Sequence, residues 1–248
     1  MLSNFYVGLS GQLAIEKRLS TIAHNVANMN TAGFRAEGVS FDSVLSTAGD
    51  TLTNAADADV NFSTPGTGYI SRREGERVKT DNPLDVAVTG DAWLALRSPT
   101  GVVYTHDGRL KMNAAGEVQS VNNYPVLDAG GSPLLLDPDA GPPTIAADGM
   151  MTQNGRQVGA IGLFSIDPSA TLTRADNSAV IPSVAAQPIL DFTASGVVQG
   201  FVENSNVNPV QEISKLIQIQ HDLDAVTQSN QTADTTLQDA IKTLGTMS

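Results

Sequence analysis

Cysteine is absent from this chain of 248 residues. Its absence excludes disulfides, thiolate metal sites and cysteine nucleophiles, so the fold does not depend on a redox compartment. No apolar run approaches the roughly 18 residues that would span a membrane. The first residues also lack a basic segment followed by a continuous apolar stretch. The sequence therefore predicts neither a membrane span nor a cleavable targeting signal.

Basic residues are scarce. The 14 Lys and Arg are outnumbered by 26 Asp and Glu, and the formal net charge is −12. Nucleic-acid binding needs a basic surface that neutralises phosphates, so we expect no nucleic-acid partner. Most of the negative charge lies in the middle of the chain, and both ends are nearly neutral, as surfaces that pack against other surfaces would be. Solubility alone is the alternative explanation of the acidity.

Catalytic motifs are missing as well. The sequence has no G-x-S-x-G segment, no phosphate-binding P-loop and no H-E-x-x-H segment. His24 and His221 lie in predicted helices without a partner at metal-ligand spacing, and His106 lies in a predicted hairpin turn. We therefore expect no catalytic residue, no metal site and no cofactor, and we predict that the chain is not an enzyme.

Two segments with helical periodicity occupy the two ends of the chain. Apolar residues there recur at steps of three and four, a spacing that keeps one stripe facing a partner helix. The C-terminal seam consists of Leu216, Ile219, Leu223, Val226, Asn230, Ala233, Leu237, Ala240 and Leu244. The N-terminal end shows similar spacing in Leu2, Phe5, Leu9 and Leu13, and then in Ile15, Leu19, Ile22 and Val26. The sequence thus predicts two terminal helices that each present a face to another helix.

Asn230 is a polar residue in the middle of the C-terminal seam. If it is buried at this position, it lowers stability but fixes the register and the number of partner helices. The alternative is that Asn230 faces solvent where the seam is interrupted. The residues alone favour neither.

The ends of both helices carry boundary signals. The N-terminal helix is predicted over residues 3–28, and the turn after it ends at Gly33, which is suited to the positive φ that closes a helix. The C-terminal helix is predicted over residues 209–244. Its N-cap is Asn206 or Asn208, and a proline lies in its first turn.

The middle of the chain has a β pattern. Residues 35–80 are polar, and we interpret them as an extended linker with short strands. From residue 84 onward apolar and polar residues alternate, and Gly or Asn recurs about every ten residues, as in antiparallel sheets. Further strands are predicted at residues 144–146, 157–166 and 197–202.

Three segments resemble the bacterial flagellar rod and hook proteins. Residues 23–35, A-H-N-V-A-N-M-N-T-A-G-F-R, are similar to the N-terminal signature of that family, and residues 203–210, E-N-S-N-V-N-P-V, to its C-terminal signature. Between them, N-P-L-D-V-A-V-T-G-D at residues 82–91 follows the same family order. The length and this central segment are most similar to proximal-rod members, and distal-rod members are the nearest alternative. His24, where relatives carry Asn, is a departure.

The resemblance implies a structural subunit of the flagellar basal-body rod. Family members place both terminal helices in an inner domain that lines an axial tube, with a β domain outside it. Export through the flagellar type III apparatus without a cleaved signal, and a periplasmic location in the rod, are implied too. The implied partners are other rod proteins and copies of the chain itself. A hook-family subunit and a soluble periplasmic binding module are the alternatives, and a cell-wall hydrolase would need a catalytic group that the sequence lacks.

The fold class that follows is α+β, mainly β. The two terminal helices form a coiled-coil-like inner domain, with an extended linker and a central antiparallel β domain. The domains are residues 1–34 for the N-terminal helix, 35–80 for the linker, 81–203 for the β domain and 204–248 for the C-terminal helix.

The expected assembly interface combines both helices and both signatures. Its N-terminal part comprises Leu9, Leu13, Leu19, Ile22, Asn25, Val26, Asn28, Asn30, Thr31, Gly33 and Phe34. Its C-terminal part comprises Asn206, Val207, Leu216, Ile219, Leu223, Val226, Asn230, Leu237 and Leu244. The turn at residues 28–34 is predicted to act as a hinge, with Phe34 anchored against a neighbouring segment or subunit. An ordinary helix stop, with Phe34 in the core of its own chain, is the alternative.

Overall fold

A computed structural model describes residues 2–40, 43–46, 60–63 and 67–245 of the chain. The chain divides into two compact units, which we call the helical unit and the β unit. The helical unit consists of Met1–Val26, Glu37–Gly68 and Asn208–Ser248, and the β unit of Ala27–Ala36 and Tyr69–Val207. Each unit therefore combines segments that are distant in the sequence.

The helices are α1, Leu2–Ala27, and α2, Pro209–Gly245, and a short 3₁₀ helix spans Pro138–Ala140. The two long helices agree with the sequence prediction to within one residue at each end. Of the two predicted N-caps, Asn208 is the one used. Its Oδ1 accepts hydrogen bonds from the backbone N–H groups of Val210 and Gln211, at 3.1 and 3.2 Å. The proline at the first helical position needs no such acceptor, because it has no N–H.

The strands are short. In chain order they are β1 (Glu37–Val39), β2 (Ser43–Ser46), β3 (Val60–Ser63), β4 (Gly68–Ile70), β5 (Arg77–Lys79), β6 (Val86–Thr89), β7 (Ala92–Ser98), β8 (Gly101–Thr105), β9 (Leu110–Met112), β10 (Val118–Ser120), β11 (Thr144–Ile145), β12 (Met150–Gln153), β13 (Arg156–Ala160), β14 (Leu163–Ser165), β15 (Leu172–Arg174), β16 (Ala179–Pro182), β17 (Gln187–Pro188), β18 (Gly196–Gln199) and β19 (Phe201–Glu203).

The sheets are antiparallel. In the helical unit, β2 pairs with β3, with Ser43 opposite Ser63. In the β unit, six strands form a sheet in the order β15-β16-β8-β7-β14-β17, and β11-β12-β13 form a second sheet. Strand pairs β9–β10, β6–β18 and β5–β19 also belong to this unit. The last pair places Glu203 opposite Arg77.

The core of the β unit lies on both faces of β7. Leu94 and Leu96 join the main apolar cluster, which includes Val86 and Val103, while Trp93 joins a second cluster on the other face. Residues 92–96 are at most 3% exposed. A strand that is covered on both faces has a continuous apolar sequence, as A-W-L-A-L at residues 92–96 does.

Two strand predictions need correction. The single strand predicted at residues 157–166 is divided into β13 and β14, because Gly162 approaches the backbone of Asp128 so closely that a Cβ would lie 2.5 Å from its carbonyl carbon. The strand predicted at residues 197–202 is interrupted at Gly200, which has a φ of +77°. Strands β12 and β15 to β17 were not predicted. The coiled-coil character of the helices and the four domain boundaries remain predictions.

Candidate assembly site

The side chain of Asn25 joins three segments of the helical unit. It lies near the end of α1 and is 2% exposed. Its Oδ1 accepts a hydrogen bond from the backbone N–H of Glu37 at 2.8 Å, and its Nδ2 donates to the backbone carbonyl of Glu37 at 2.9 Å. The same Nδ2 donates to Oε2 of Glu212 in α2 at 3.1 Å. Asn25 therefore makes with Glu37 of β1 the two backbone hydrogen bonds that a residue of a neighbouring strand would make. It also links α1 to α2.

Glu212 is a buried carboxylate in the first turn of α2, only 6% exposed. Its Oε1 accepts a hydrogen bond from Nζ of Lys215 at 2.6 Å, while Oε2 accepts from Asn25. Both carboxylate oxygens are thus satisfied, as burial requires. Its position near the helix N-terminus also favours the negative charge. The sequence analysis did not assign this role to Glu212.

The helix residues predicted to form the assembly interface differ in exposure. Ile22 and Ile219 are 7% and 1% exposed, whereas Leu13 is 48% exposed. Leu19, Val26, Leu216, Leu223 and Val226 are half-buried. The side chains of Leu9, Asn230, Leu237 and Leu244 lie outside the described residues. Part of the predicted interface is therefore already covered within the chain, and its role in assembly stays a prediction.

Gly33 has a φ of +66°, the positive φ that the sequence predicts for it. The residue packs against the backbone that follows β8. A Cβ at Gly33 would lie 2.1 Å from the amide nitrogen of Asp107 and 2.4 Å from the carbonyl carbon of His106. Both the backbone conformation and the close approach therefore require glycine at this position.

Phe34 is fully buried within the β unit, at 0% exposure. The guanidinium of Arg174 lies over its ring, 4.4 Å from the ring centroid. Its backbone is held as well, because the carbonyl of Phe34 accepts a hydrogen bond from the N–H of Asn206 at 3.3 Å. Phe34 is thus anchored against segments of its own chain.

Arg35, His106 and Glu203 form a buried ionic cluster in the β unit. Nη2 of Arg35 lies 2.9 Å from Oε1 of Glu203, and Nδ1 of His106 lies 3.1 Å from Oε2. Oε1 also accepts the N–H of Gly75 at 2.8 Å. The edge of the Trp93 ring meets the imidazole, with ring centroids 4.1 Å apart. The three charged or ionisable residues are at most 2% exposed, so the cluster is almost completely desolvated.

Burial is the main reason why the pKa of His106 is lowered, and its hydrogen bond with Glu203 only partly opposes this. The imidazole is therefore neutral at pH 7. Its Nδ1 lies 3.1 Å from Nη2 of Arg35 as well as from Glu203. We place the proton on Nδ1, because it then donates to Oε2 of Glu203, an oxygen that otherwise has no hydrogen-bond partner among the described residues.

The pKa of Glu203 is lowered although burial acts in the opposite direction. The hydrogen bond with His106 and the positive charge of Arg35 contribute to the lowering, as does the backbone N–H of Gly75. Burial lowers the pKa of Arg35, and the charge of Glu203 opposes that shift. The cluster thus contains one ion pair, Arg35 with Glu203, and a neutral histidine beside it.

Asn206 holds the segments that flank the ionic cluster. Its Oδ1 accepts the backbone N–H of Ala36 at 2.7 Å, and its Nδ2 donates to the carbonyl of Arg73 at 2.5 Å and to Oγ of Ser71 at 3.3 Å. Its side chain is therefore used inside the β unit and does not cap α2. The interpretation of Asn206 as a possible N-cap was wrong.

The remaining signature residues have smaller roles. Oγ1 of Thr31 donates to Oδ1 of Asn28 at 3.2 Å, which stabilises the turn after α1. Asn28 and Val207 are buried, at 7% and 8% exposure, and Asn30 is exposed. All of these residues belong to the two signatures, but Asn28 and Val207 are covered within the chain and Asn30 is exposed.

Sequence reasoning missed His106 and Glu203 as a pair. His106 was interpreted as a turn residue, and Glu203 only as the first letter of a signature. Glu203 lies in the C-terminal signature, whereas His106 lies in none of the three segments that carry the resemblance. Their contact joins residues that are far apart in the sequence, so neither composition nor periodicity could reveal it.

Within the part of the chain that the structure describes, no three His, Asp or Glu side chains come together in a group that could hold a metal ion. In the part of the chain that the structure describes, no helix has both the length and the apolar composition that crossing a membrane requires. The site thus consists of hydrogen bonds, buried charges and packing contacts that hold segments of the chain together.

Comparisons with known proteins identify the family. The model of the C-terminal part of flagellar basal-body rod FlgEFG proteins matches residues 198–243, and the flagella basal body rod protein model matches residues 5–35. The chain is 45% identical to the flagellar basal-body rod protein FlgF of Mesorhizobium japonicum over 248 residues, which cover 100% of both chains. The chain belongs to the flagellar basal-body rod protein family.

Other members of the rod protein family show the same full-length similarity. FlgF of Rhizobium meliloti is 43% identical, and the alignment covers 99% of each chain. The rod protein FlgG of Bacillus subtilis is 27% identical, with 97% of this chain and 98% of the relative covered. Asn25, Gly33, Phe34 and Arg35 lie within or at the end of the N-terminal rod-protein match, and Glu203 lies within the C-terminal one.

Proposed function

We propose that the chain is a structural subunit of the proximal flagellar rod, which assembles with other axial subunits into the tube that transmits torque. The observation that carries this proposal is the 45% identity to FlgF over the complete length of both chains. The lower identity to FlgG, 27%, favours an FlgF-like subunit over an FlgG-like one. The relatives are structural rod proteins, which supports a role without catalysis.

The terminal helices, in this proposal, form a coiled-coil-like inner domain in the assembled rod. The support is the three-and-four spacing of the seam and the incomplete burial of its members, since Leu216, Leu223 and Val226 are only half-buried in the single chain. Half-buried apolar residues gain stability when a neighbouring helix covers them. Other rod proteins and copies of the chain itself are the expected partners.

The turn at residues 28–34 is, we further propose, a hinge between the inner domain and the β domain. Its support is the geometry at Gly33, where positive φ and close backbone contact coincide. Export through the flagellar type III apparatus and assembly in the periplasm complete the proposal. Their support is the family resemblance, in which rod subunits follow this route.

Deletion of the gene tests the proposed function directly. Cells that lack the chain should not swim, and electron microscopy of their basal bodies should show rods that are missing or truncated. The full-length chain should restore both, whereas variants without residues 1–30 or 206–248 should restore neither. A binding module, by contrast, would keep its ligand affinity without these ends. Normal rods in the deletion strain would refute the proposal.

A further inference from the structure

His106 is the only buried histidine of the chain. It is 2% exposed, whereas the side chain of His24 is 39% exposed and His221 is exposed as well. Two segments from opposite ends of the chain meet at its ring, the segment after α1 through Arg35 and β19 through Glu203. A change in the charge of this ring therefore acts on both segments at once, with little water to screen it.

The charges around the imidazole balance while the ring is neutral. Glu203 carries one negative charge and Arg35 one positive charge. Nδ1 of His106 lies 3.1 Å from Nη2 of Arg35 and 3.1 Å from Oε2 of Glu203. A proton on the ring would add a second cation, and both cations would then share one buried carboxylate.

The other charged groups near the ring already have partners. On the segment of the imidazole itself, the carboxylate of Asp107 accepts two hydrogen bonds from the guanidinium of Arg109, at 2.9 and 2.7 Å. Glu74 acts on the ring from the loop before β5, and its Oε2 accepts a hydrogen bond from Arg77 at 2.9 Å. Burial, the largest effect, lowers the pKa of His106 despite the neighbouring carboxylates. The closed cluster therefore disfavours a proton that a hydrated ring would bind.

The cluster joins two segments of the β unit, residues 31–36 and residues 203–206, which we call the latch. Three backbone N–H groups donate from one segment to the other, those of Gly33, Ala36 and Asn206. In the sequence the first segment follows α1 and the second precedes α2. The latch therefore determines whether the chain next to both long helices is held by the β unit.

The latch is separate from the core of the sheet. Over the part of the chain that the structure describes, the apolar clusters on the two faces of β7 contain no residue of either latch segment. The interior of the latch consists of the ionic cluster and of Phe34, whose ring packs against the guanidinium of Arg174. Breaking these contacts leaves the apolar clusters of the sheet in place, so the latch can open by itself.

We propose that the Arg35–His106–Glu203 cluster makes the latch acid-sensitive: when His106 binds a proton, residues 31–36 and 203–206 leave the β unit while its sheet stays folded. Opening brings the ring into water, where it has the ordinary histidine pKa of about 6.5. Because the closed ring resists the proton, each pH unit below that value favours the open latch by up to about tenfold. Acid thus frees the chain next to both terminal helices, a property of the single chain that goes beyond the proposed function.

Amide hydrogen exchange of the full-length chain tests the latch. Mass spectrometry measures exchange in peptides that cover the two latch segments and β7, at about pH 7.5 and about pH 5.5. Protection is the intrinsic exchange rate of an unfolded peptide at the same pH divided by the measured rate. The series is repeated at low urea concentrations, because the urea dependence reports how much surface each opening exposes. The amides of β7 report unfolding of the whole β unit.

Protection in the latch should be at least about a hundredfold lower than in β7 and should depend little on urea, since opening exposes only a small surface. It should fall roughly tenfold between pH 7.5 and pH 5.5. Equal protection and equal urea dependence in the latch and in β7 would mean that the latch opens only with the whole unit. Protection that does not change with pH would mean that acid does not open it. Either result overturns the inference.

Histidine variants identify the group that binds the proton. His106→Asn should abolish the tenfold change, and His106→Gln repeats this test if the first variant does not fold. The matched control combines His24→Asn with His221→Asn, which leaves His106 as the only histidine of the chain. This control should keep the tenfold change, and it assigns the proton even if neither variant of His106 folds. A pH effect that survives without His106, or that disappears in the control, would show that another group opens the latch.

Discussion

Arg35 and Glu203 form an ion pair whose side chains are 2% and 1% exposed. The pair holds the segment after α1 against the segment before α2, inside the β unit. Backbone contacts reinforce it, since the N–H of Gly33 donates to the carbonyl of Glu203 at 2.8 Å, and Asn206 binds the N–H of Ala36 at 2.7 Å. A buried charge pair seldom adds much net stability, but breaking it leaves an uncompensated buried charge. The two residues therefore act as a specific clasp between these segments.

Glu203→Gln should strongly destabilise the β unit. The amide keeps the shape of the side chain but deprives the buried guanidinium of Arg35 of its paired carboxylate, at an expected cost of about 3–5 kcal/mol in the free energy of unfolding. Trp93 is the single tryptophan of the chain and contacts His106 in the cluster, so its fluorescence during urea denaturation reports on this region.

The exposed pair of Lys79 and Asp81 provides the control for this measurement. Their side chains are 63% and 75% exposed, so Lys79→Met should change the free energy of unfolding by less than about 1 kcal/mol. If Glu203→Gln had no larger effect than Lys79→Met, the buried pair would not be a clasp.

The stability of the β unit should fall as the pH is lowered below about 6.5, the ordinary histidine pKa. The folded pKa of His106 is lowered by burial, with Arg35, Glu203 and Glu74 as the charged groups that act on it. Between the folded and the unfolded pKa, the unfolded chain binds a proton that the folded chain does not. The free energy of unfolding therefore decreases by up to about 1.4 kcal/mol for each pH unit.

His106→Asn should remove this part of the pH dependence, although it lowers stability at every pH. The unmodified chain should also lose stability below about pH 4.3, because the folded pKa of Glu203 is lowered against the effect of burial. This second decrease should be smaller in the variant, which lacks the hydrogen bond from His106 but keeps Arg35 and the N–H of Gly75. Urea denaturation followed by Trp93 fluorescence between pH 3 and 8 measures both. Equal slopes for the two proteins between pH 5 and 6.5 would show that His106 is not the titrating group.

The helices and the β core could be predicted from the sequence because their signals are local. Three-and-four spacing marks α1 and α2, and Gly33 combines a helix end with a residue that tolerates positive φ. The apolar run of β7 likewise reports its burial on both faces. Each of these patterns is formed by residues that are close together in the sequence.

The contacts of the site could not be predicted, because they join distant parts of the chain. His106 has the sequence context of a turn, and only the fold places it beside Glu203. Asn25 and Asn206 have the residue type of helix caps or stops, yet both side chains bind backbone groups of residues 36 and 37. Strands β15 to β17 were missed since they are short and separated by polar residues, so no alternation is long enough to detect.

Asn25→Asp should loosen the contact between α1, β1 and α2. The carboxylate can still accept from the N–H of Glu37, but it loses both donated hydrogen bonds and faces the carboxylate of Glu212. A buried like-charge contact and two lost hydrogen bonds should cost about 2–4 kcal/mol. Amide hydrogen exchange of residues 37–39 and of the first turn of α2 should become faster.

Asn30→Asp is the matched control, because Asn30 belongs to the same signature but is exposed. It should leave exchange in these segments unchanged. Exchange that is equally fast in both variants, or unchanged in both, would mean that the Asn25 side chain does not hold the three segments together.

Leu223→Asp should block rod assembly and spare the β unit. Leu223 is half-buried in the seam of α2, and a carboxylate there would be placed in a contact between helices at a cost of several kcal/mol. Circular dichroism of the purified variant should keep its β signal, whereas cells that carry it should lose rods and motility. Thr227→Asp, at an exposed position one turn later, is the control and should assemble. Normal swimming of the Leu223→Asp strain would refute the seam.

Gly33→Ala should destabilise the chain far more than the same change at another glycine with positive φ. Gly33 and Gly131 have φ values of +66° and +80°, so alanine at either costs about 1–2 kcal/mol through backbone strain. Gly131 has open space where a Cβ would lie, whereas at Gly33 the Cβ would meet backbone atoms of His106 and Asp107. Since these atoms cannot move without displacing β8, the Gly33 variant should lose several kcal/mol more, measured by urea denaturation.

The same pair of variants also tests the proposed hinge. If the turn at residues 28–34 positions the inner helix for assembly, Gly33→Val should prevent rod formation even in cells grown at low temperature, where a variant that is merely destabilised regains its fold. Gly131→Val should assemble rods under those conditions, because a Cβ at this position has no heavy atom within 4 Å outside its chain neighbours. Rods at wild-type frequency in the Gly33→Val strain would show that the turn only ends α1, and equal losses of stability at both glycines would show that the close contact with Asp107 does not constrain it.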